Sequence, residues 1–292
     1  MPIQTGFSAN IEYLQENSYG GGLYNPSSVT YLEKPSDVIK NILLTADENP
    51  EVLFSISDVD GVTTIGKQKE YTLKIDYLLQ QGNTALSEAI NRNTDNDLNS
   101  YVFIITYGGK YYTIKGCKAN TIEVRGEVGE PIIVSTEYIA KEVVVSSTDP
   151  LSSYANLRHA NALNGTYATY GGASVARGGG TYGYGTRTFS VTINNNLERI
   201  YKVQGNKIDN LVAGKVQVEG TLDIYLEKGA QTEFELVENL NKANIVISFG
   251  ISNPTSMTLS NSTFQSLELK MNNEDAVVVT SVPFVAETAS VS

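Results

Sequence analysis

The chain has 292 residues, of which 41% are hydrophobic and 18% charged, a composition that excludes a disordered chain and fits one large or two ordinary globular domains. Its net charge is −11, from 32 acidic and 21 basic residues, which argues against a surface that grips nucleic acid by neutralising phosphates. No run of about 18 apolar residues occurs, so no membrane-spanning helix and no membrane partner are predicted.

The residue types predict a mainly β protein. Eighteen tyrosines, no tryptophan and many β-branched residues suit half-buried pleated strands, and helix should be scarce. The one cysteine, Cys117, excludes an internal disulfide, and its surroundings favour a plain strand cysteine over a reactive thiol. The first residues lack the basic and apolar segments of an export signal, so we expect the chain to fold in a cytoplasm.

Residues 1–50 are predicted to form an N-terminal arm and lead-in. Within them, residues 16–22 are rich in Gly, Tyr and Asn and too poor in apolar side chains to be core. Residues 51–145 are predicted to form a first β domain. Its expected strands are residues 52–56, 71–79, 101–107, 110–116, 120–128 and 131–145.

Two local signals lie inside this first domain. The sequence Tyr107-Gly108-Gly109-Lys110 predicts a tight hairpin turn, because two adjacent glycines accept the positive φ angles of a type I′ turn. Residues 85–90 have helical spacing of apolar side chains behind a possible cap at Thr84. A short helix is therefore expected between the second and third strands.

Residues 146–186 are predicted to be a linker or an extended arm. Glycine at this density disfavours a packed core, because ordering it costs much chain entropy and buries no side chain. Tyrosines offer large contact areas with little side-chain entropy to lose, which favours an arm that orders against another subunit. The candidate arm residues are Tyr167, Tyr170, Tyr182 and Tyr184, together with Tyr19 and Tyr24 near the start of the chain.

Residues 187–292 are predicted to form a second β domain with the same order of elements. A short helix is expected after its long strand, where Thr232 and Glu235 have the spacing of a capping box. Its expected strands are residues 187–194, 215–227, 243–249, 257–259, 264–271 and 276–285.

The two predicted domains contain similar passages. Residue 70 aligns with residue 219 at an offset of 149, residue 122 with residue 267 at an offset of 145, and Gly82 with Gly229 at an offset of 147. Three matches in the same order at nearly one spacing indicate an internal duplication. The predicted fold class is therefore mainly β (α+β), with two tandem small β-sandwich or barrel domains, each with a short flanking helix.

No constellation of catalytic, cofactor-binding or metal-binding residues emerges. His159 is the only histidine and has no nucleophile motif near it. Asp58-Val59-Asp60-Gly61 begins like a calcium loop, but Lys69 stands where the bidentate glutamate belongs, so a hairpin turn is the better interpretation. An enzyme is not predicted, and no cofactor is expected.

Four short motifs resemble those of the tail tube proteins of long-tailed viruses. Asn-Asn-Leu-Glu at residues 195–198 ends a strand, and residues 214–222 fit a "G-x-x-x-V-x-G-x-L" strand. Residues 16–20 look like the family's Glu-x-x-Tyr-Gly opening, and residues 116–122 look like its "G-C-x-x-N-x-L" strand. The resemblance spans roughly residues 12–285.

The resemblance implies a β-sandwich whose sheet edges join those of neighbours into a ring around a lumen. Two such domains in one chain would let three copies, instead of six, close a pseudo-six-fold ring, and rings would stack into a filament. It further implies a virion tail location, self-association, a tape measure protein and viral DNA in the lumen, and contacts with tail terminator and baseplate proteins. The tyrosines named above would then be inter-ring arms.

A tube that conducts DNA should not bind it, and an acidic wall repels phosphate over about a Debye length. Candidate lumen-facing charges are Asp76, Asp223 and Glu227 on predicted long strands, and an outer face or a subunit contact is the open alternative for each. Two alternatives stay open. The first is the inner tube of a contractile tail or injection system, and the second is an adhesin or carbohydrate-binding module displayed on a particle.

Overall fold

The computed structural model describes residues 9–47, 51–54, 61–65, 69–178, 180–181, 186–201, 207–226, 242–266 and 278–292. These residues form a mainly β fold with one short α-helix, α1 (Ala85–Ile90). The strands of the first half are β1 (Asn10–Gln15), β2 (Thr30–Tyr31), β3 (Ile39–Asp47), β4 (Glu51–Phe54), β5 (Gly61–Ile65), β6 (Glu70–Leu78), β7 (Tyr101–Tyr107), β8 (Lys110–Glu127), β9 (Ile133–Ala140) and β10 (Glu142–Ser146). Those that follow are β11 (Leu157–Arg158), β12 (Ser174–Arg177), β13 (Gly180–Thr181), β14 (Thr186–Asn194), β15 (Glu198–Tyr201), β16 (Ile208–Val212), β17 (Gln217–Leu226), β18 (Ala243–Ser248), β19 (Ser256–Phe264), β20 (Val278–Ala286) and β21 (Thr288–Val291).

One long sheet runs through both halves, in the order β3-β6-β9-β8-β14-β17-β20-β19. A short sheet covers each end: β1-β7-β8-β10 belongs to the first half and β12-β18-β19-β21 to the second. The strands β8 and β19 belong to both a short sheet and the long one, so each half is a small sandwich. The mainly β prediction is confirmed.

Seven strands of the second half repeat the topology of seven strands of the first. The pairings of β1, β3, β6, β7, β8, β9 and β10 recur among β12, β14, β17, β18, β19, β20 and β21 in the same chain order. Even the hairpin β4–β5, which follows β3, has its counterpart in β15–β16, which follows β14. This recurrence among the described strands supports the duplication inferred from the sequence.

Register irregularities fix the alignment of the halves residue by residue. The ladder β3–β6 slips between Ile39 and Asn41, and β14–β17 slips between Thr186 and Thr188, an offset of 147 residues. The two hairpins begin at Glu51 and Glu198, again 147 residues apart. The sequence alignment at an offset of 149 is therefore wrong by two residues.

The short sheets carry a matching bulge. β7–β8 slips beside Gly116 and β18–β19 slips beside Asn261, and both residues have positive φ, 67° and 52°. Glycine and asparagine are the residues that accept this conformation most readily. The bulge interrupts the alternation of side chains at Gly116, which is why the sequence predicted two strands, residues 110–116 and 120–128. The backbone continues through the bulge, so these residues form the single strand β8.

The core follows the alternation of side chains along the strands. Leu73, Ile75 and Tyr77 of β6 are buried, and the intervening Lys74 and Asp76 point to the opposite face of the sheet. One hydrophobic cluster extends through both halves, and β1 and β3 belong to the first sandwich. Strands from residues 1–50 thus pair with strands from residues 51–145, and the predicted domain bounds stay a prediction.

The helix α1 buries the four side chains that the sequence predicted, Ala85, Leu86, Ala89 and Ile90. Thr84 precedes it but does not cap it, because its hydroxyl donates to the Glu33 carboxylate. The Asn83 side chain accepts from the Ala85 N–H at 2.6 Å instead. The second predicted helix, after β17, lies outside the described residues.

Glu88 of α1 provides a pH-dependent test of this packing. Burial, with help from the nearby Glu33 carboxylate, raises the pKa of Glu88 from 4.5 to about 7. The folded state thus holds a proton that the unfolded state releases above pH 4.5, so stability falls as the pH rises from 4.5 to 7. We expect Glu88→Gln to stabilise the protein by about 2 kcal/mol at pH 8. In denaturant titrations this gain should vanish below about pH 4.5, and a pH-independent gain would contradict the assignment.

Candidate functional site

The two halves meet edge to edge in the middle of the long sheet. Residues 121–127 of β8 pair antiparallel with Thr188 to Asn194 of β14 over seven residue pairs. The side chains of Ile122, Val124 and Val191 are buried on the core face of this junction. Two sandwich edges have thereby been joined into one continuous sheet within a single chain.

Two of the motifs named above interlock at this junction. The Asn120 carbonyl accepts from the Asn195 N–H at 2.8 Å, and its side-chain oxygen accepts from the Leu197 N–H at 3.2 Å. The Asn195 side chain, fully buried, donates to the Ala119 carbonyl at 3.0 Å. The "G-C-x-x-N" strand of the first half therefore orders the Asn-Asn-Leu-Glu turn of the second.

In the other two motif regions, one residue type is required by a specific contact. The Glu16 carboxylate is buried and accepts from the N–H groups of Gly20, Gly22 and Gly116, at 2.9, 2.8 and 3.1 Å. The opening segment is thus tied to the bulge in β8. In the β17 motif, a Cβ at Gly220 would lie 2.4 Å from the Ser190 carbonyl oxygen, so only glycine fits.

The hairpin β15–β16 of the second half docks on the first half. The ammonium of Lys118, which is 4% exposed, contacts the Asp97 carboxylate at 2.7 Å and the Leu211 carbonyl at 2.8 Å. The guanidinium of Arg92 donates to the Gly214 carbonyl at 2.7 Å. Beneath these contacts a mixed apolar cluster contains Leu98 and Ile139 from the first half and Leu197, Ile208 and Leu211 from the second.

Asp97 is the electrostatic centre of this docking site. Burial alone would raise its pKa, but the Lys118 ammonium and the N–H groups of Leu98 and Ala213 outweigh it and hold the pKa of Asp97 below its ordinary value. The sequence presents residues 91–97 as a polar loop, and nothing in the local pattern marks Asp97 or Lys118. Their pairing appears only when the halves are packed together.

The candidate lumen charges Asp76 and Asp223 occupy equivalent positions, 147 residues apart, on the face of the long sheet opposite the core. Asp76 accepts from the Asn41 side chain at 3.3 Å, and Asp223 accepts from the Thr188 hydroxyl, which stands at the position of Asn41, at 2.7 Å. A serine is the cross-strand neighbour of each aspartate. The polar arrangement is therefore repeated in both halves. Glu227, the third candidate, lies outside the described residues.

The strand β3 is the counterpart of β14, but one of its edges is open. Within the described part of the chain β3 pairs only with β6. The residues of β14 that face the core, Phe189, Val191 and Ile193, are at most 1% exposed, whereas their counterparts Ile42 and Leu44 are half-buried and Ala46 is exposed. In the first half, the edge of β3 is therefore open, whereas the equivalent edge of β14 in the second half is covered by β8.

A model of the phage tail tube protein family matches residues 46–286, which include most of both halves. The chain belongs to the phage tail tube family. It is a structural protein of the virion tail, and the family self-assembles into a tube, which favours this role over the adhesin alternative. A comparison with curated proteins found no match.

Four of the six tyrosines proposed as tube-protein arms lie in the described residues, and all four contact their own chain. The Tyr19 ring lies 5.1 Å below the Lys141 ammonium and packs on the cluster that joins the halves. Tyr24 packs on a small cluster beside β7, and Tyr167 bridges to Gln80. Tyr170 is buried and donates to the Thr186 carbonyl. Contacts with a neighbouring subunit stay a prediction, and Tyr182 and Tyr184 lie outside the described residues.

The described part of the segment predicted as a linker or arm packs on the tube protein's own body. The imidazole of His159 bridges the carboxylates of Glu12 and Asp149, at 2.7 and 3.0 Å. Partial burial would lower the pKa of His159, but the two carboxylates outweigh it and raise the pKa above its ordinary value. His159 therefore holds this segment against β1 through its contact with Glu12.

The described residues of this tail tube protein contain no cluster of metal-ligating side chains. None of their helices has the length and apolar character needed to cross a membrane. Cys117 lies in β8, as the strand interpretation predicted, and burial raises the pKa of its thiol well above the ordinary value. The half calcium loop lies almost entirely outside the described residues.

Proposed function

We propose that three copies of this chain close a pseudo-six-fold ring, and that stacked rings form the tail tube through which viral DNA is ejected. The observation that carries this proposal is the junction between β8 and β14. It is an edge-to-edge contact between two equivalent sandwiches, and β3 offers the same kind of edge at the other end of the long sheet.

In the proposed ring, β3 of one copy stands in the position that β14 holds within the chain. Its partner is the strand equivalent to β8 in the second half of the next copy, which is β19 and the residues that follow it. A heterologous contact that repeats with a 120° rotation closes after three chains. Each ring then contains six equivalent sandwiches joined by six strand-pairing junctions, three within chains and three between chains.

The face of the long sheet opposite the core is the proposed lumen wall. On strands β6, β9, β8, β14 and β17 the acids of this face outnumber the bases: the acids are Glu70, Asp76, Glu123, Glu127, Glu137, Glu219 and Asp223, and the bases are Lys74 and Arg125. Asp76 and Asp223 of three chains would form one ring of six carboxylates. Such a wall repels DNA phosphates at short range, so that the polymer slides past.

The proposed tube would enclose a tape measure protein before it conducts DNA, and terminator and baseplate proteins would cap its ends. Assembly would take place in the host cytoplasm, from chains folded there. We favour a long non-contractile tail of the siphovirus type, and a surrounding sheath would instead indicate the inner tube of a contractile machine.

Mass measurement of purified rings tests the stoichiometry. Native mass spectrometry of rings released from tubes should give three times the chain mass of 31.7 kDa, and averaged end-on electron micrographs should show six similar lobes. A ring of six chains with twelve lobes would contradict the proposed closure. A protein that stays monomeric at high concentration would contradict the tube itself.

A further inference from the structure

The strands β10 and β21 occupy equivalent positions in the two halves. β10 pairs with β8 so that Val143 faces Ile114 and Val145 faces Tyr112. β21 pairs with β19 so that Ala289 faces Leu259 and Val291 faces Met257. Ile114 lies two residues before the bulge residue Gly116, and Leu259 lies two residues before the equivalent bulge residue Asn261, so Ile114 and Leu259 are counterparts. By the same alignment, Val145 is the counterpart of Val291.

β21 is covered by the first half of the same chain. The Asn91 side chain, at the end of α1, donates to the Val291 carbonyl at 2.9 Å and accepts from the Val291 N–H at 3.1 Å. These bonds replace those of a further strand, and Val291 is only 7% exposed. The end of α1 therefore closes the open edge of an equivalent strand.

Among the described residues, no such cover lies over the apolar side chains of β10, which pairs only with β8. Val144 is 41% exposed and Val145 56% exposed, although β10 pairs with β8 along its whole length. At the first residue of β10, Lys207 contacts the Glu142 carboxylate at 2.5 Å. Val144 and Val145 are apolar side chains on opposite faces of this strand, and an open strand edge with apolar side chains is one that proteins usually hide.

We infer that β10, with Val144 and Val145, is a docking site for the second half of another copy of this chain. The occupant is the segment of residues 227–242, which follows β17 as α1 follows β6. Its sequence places Phe234, Leu236, Val237 and Leu240 at helical spacing. The contact would repeat, between chains, the cover that α1 and Asn91 give to β21. This inference rests on the proposed ring.

Substitution of Val145 by aspartate tests the docking site, with Val29→Asp as a matched control because both valines are 56% exposed. Both variants should remain folded with wild-type denaturation midpoints. Only Val145→Asp should raise the protein concentration needed for tube formation, by at least about tenfold, since it places a charge in an apolar contact. Equal assembly of the two variants would overturn the inference.

The partner segment can be mapped directly. A photo-crosslinking amino acid at position 145 of otherwise wild-type tubes should give intermolecular cross-links to residues 227–242, identified by peptide mass spectrometry. Cross-links confined to other segments, or to the same chain, would contradict the assignment. If Val145→Asp assembles normally while a substitution on the β3 edge abolishes assembly, the docking site is wrong and the ring stands. If the β3 edge can be changed freely, the ring itself is wrong.

Discussion

Ala46→Asp should abolish tube formation without unfolding the monomer. Ala46 is exposed on β3, whereas Ile193, its counterpart on β14, is 1% exposed because β8 covers it. In the proposed ring the same environment surrounds Ala46, and a carboxylate buried there without a partner costs about 3 kcal/mol or more per contact. That cost corresponds to an increase of at least about 100-fold in the concentration needed for assembly.

The measurement is a sedimentation assay over a range of protein concentrations, with chemical denaturation of the monomer in parallel. The change in monomer stability should stay below about 1 kcal/mol, as for most exposed substitutions. Ala46→Ile supplies the matched control, because it places on β3 the residue that β14 carries at this position. Ala46→Ile should assemble at least as well as the wild type, and tubes of Ala46→Asp would refute the role of the edge.

Asp97→Ala should lower the free energy of unfolding by weakening the packing of hairpin β15–β16 on the first half. It leaves the Lys118 ammonium, 4% exposed, with the Leu211 carbonyl at 2.8 Å and the Tyr19 ring at 5.7 Å as neighbours, neither of which is a full negative charge. Removal of one partner of a buried ion pair costs about 3 kcal/mol or more, because the other charge stays buried. We expect a loss of this size in the free energy of unfolding at pH 7, measured by urea titration.

The double variant Asp97→Ala, Lys118→Met distinguishes charge from packing. It removes the buried charge and keeps an apolar side chain, so most of the lost stability should return. The pH dependence supplies a second check. Because the folded pKa of Asp97 lies below its ordinary value of 3.8, its contribution is present above that pH and is lost as the pH falls through the folded pKa. A loss that the double variant does not reverse would show that the pair is not the cause.

The sequence predicted those parts of the fold that depend on local pattern. Alternating apolar residues gave most strands of the first half, and helical spacing gave α1 with its four buried residues. The turn between β7 and β8 was predicted because Gly108 and Gly109 must accept positive φ, and they have φ of 63° and 70°. These features depend on chain neighbours, so a single sequence contains the information.

Alignment of the halves was harder, because the alternation of strand residues has a period of two. A shift by two residues keeps every apolar side chain on the core face, and so an offset of 149 matched the pattern as well as the true offset of 147. The slips in the ladders, at Ile39 and at Thr186, and the starts of the two hairpins, at Glu51 and Glu198, remove the ambiguity. These slips are properties of paired strands and leave no clear mark in one strand alone.

By itself, then, the sequence determined a mainly β chain built twice, with motifs typical of tail tubes. The tertiary structure alone decided how the two copies are joined: β8 against β14, Asp97 on Lys118, and Asn91 on the edge of β21. The physical reason is distance along the chain. These contacts join residues up to 200 positions apart, and long-range pairing depends on complementary edges and charges that no local pattern encodes.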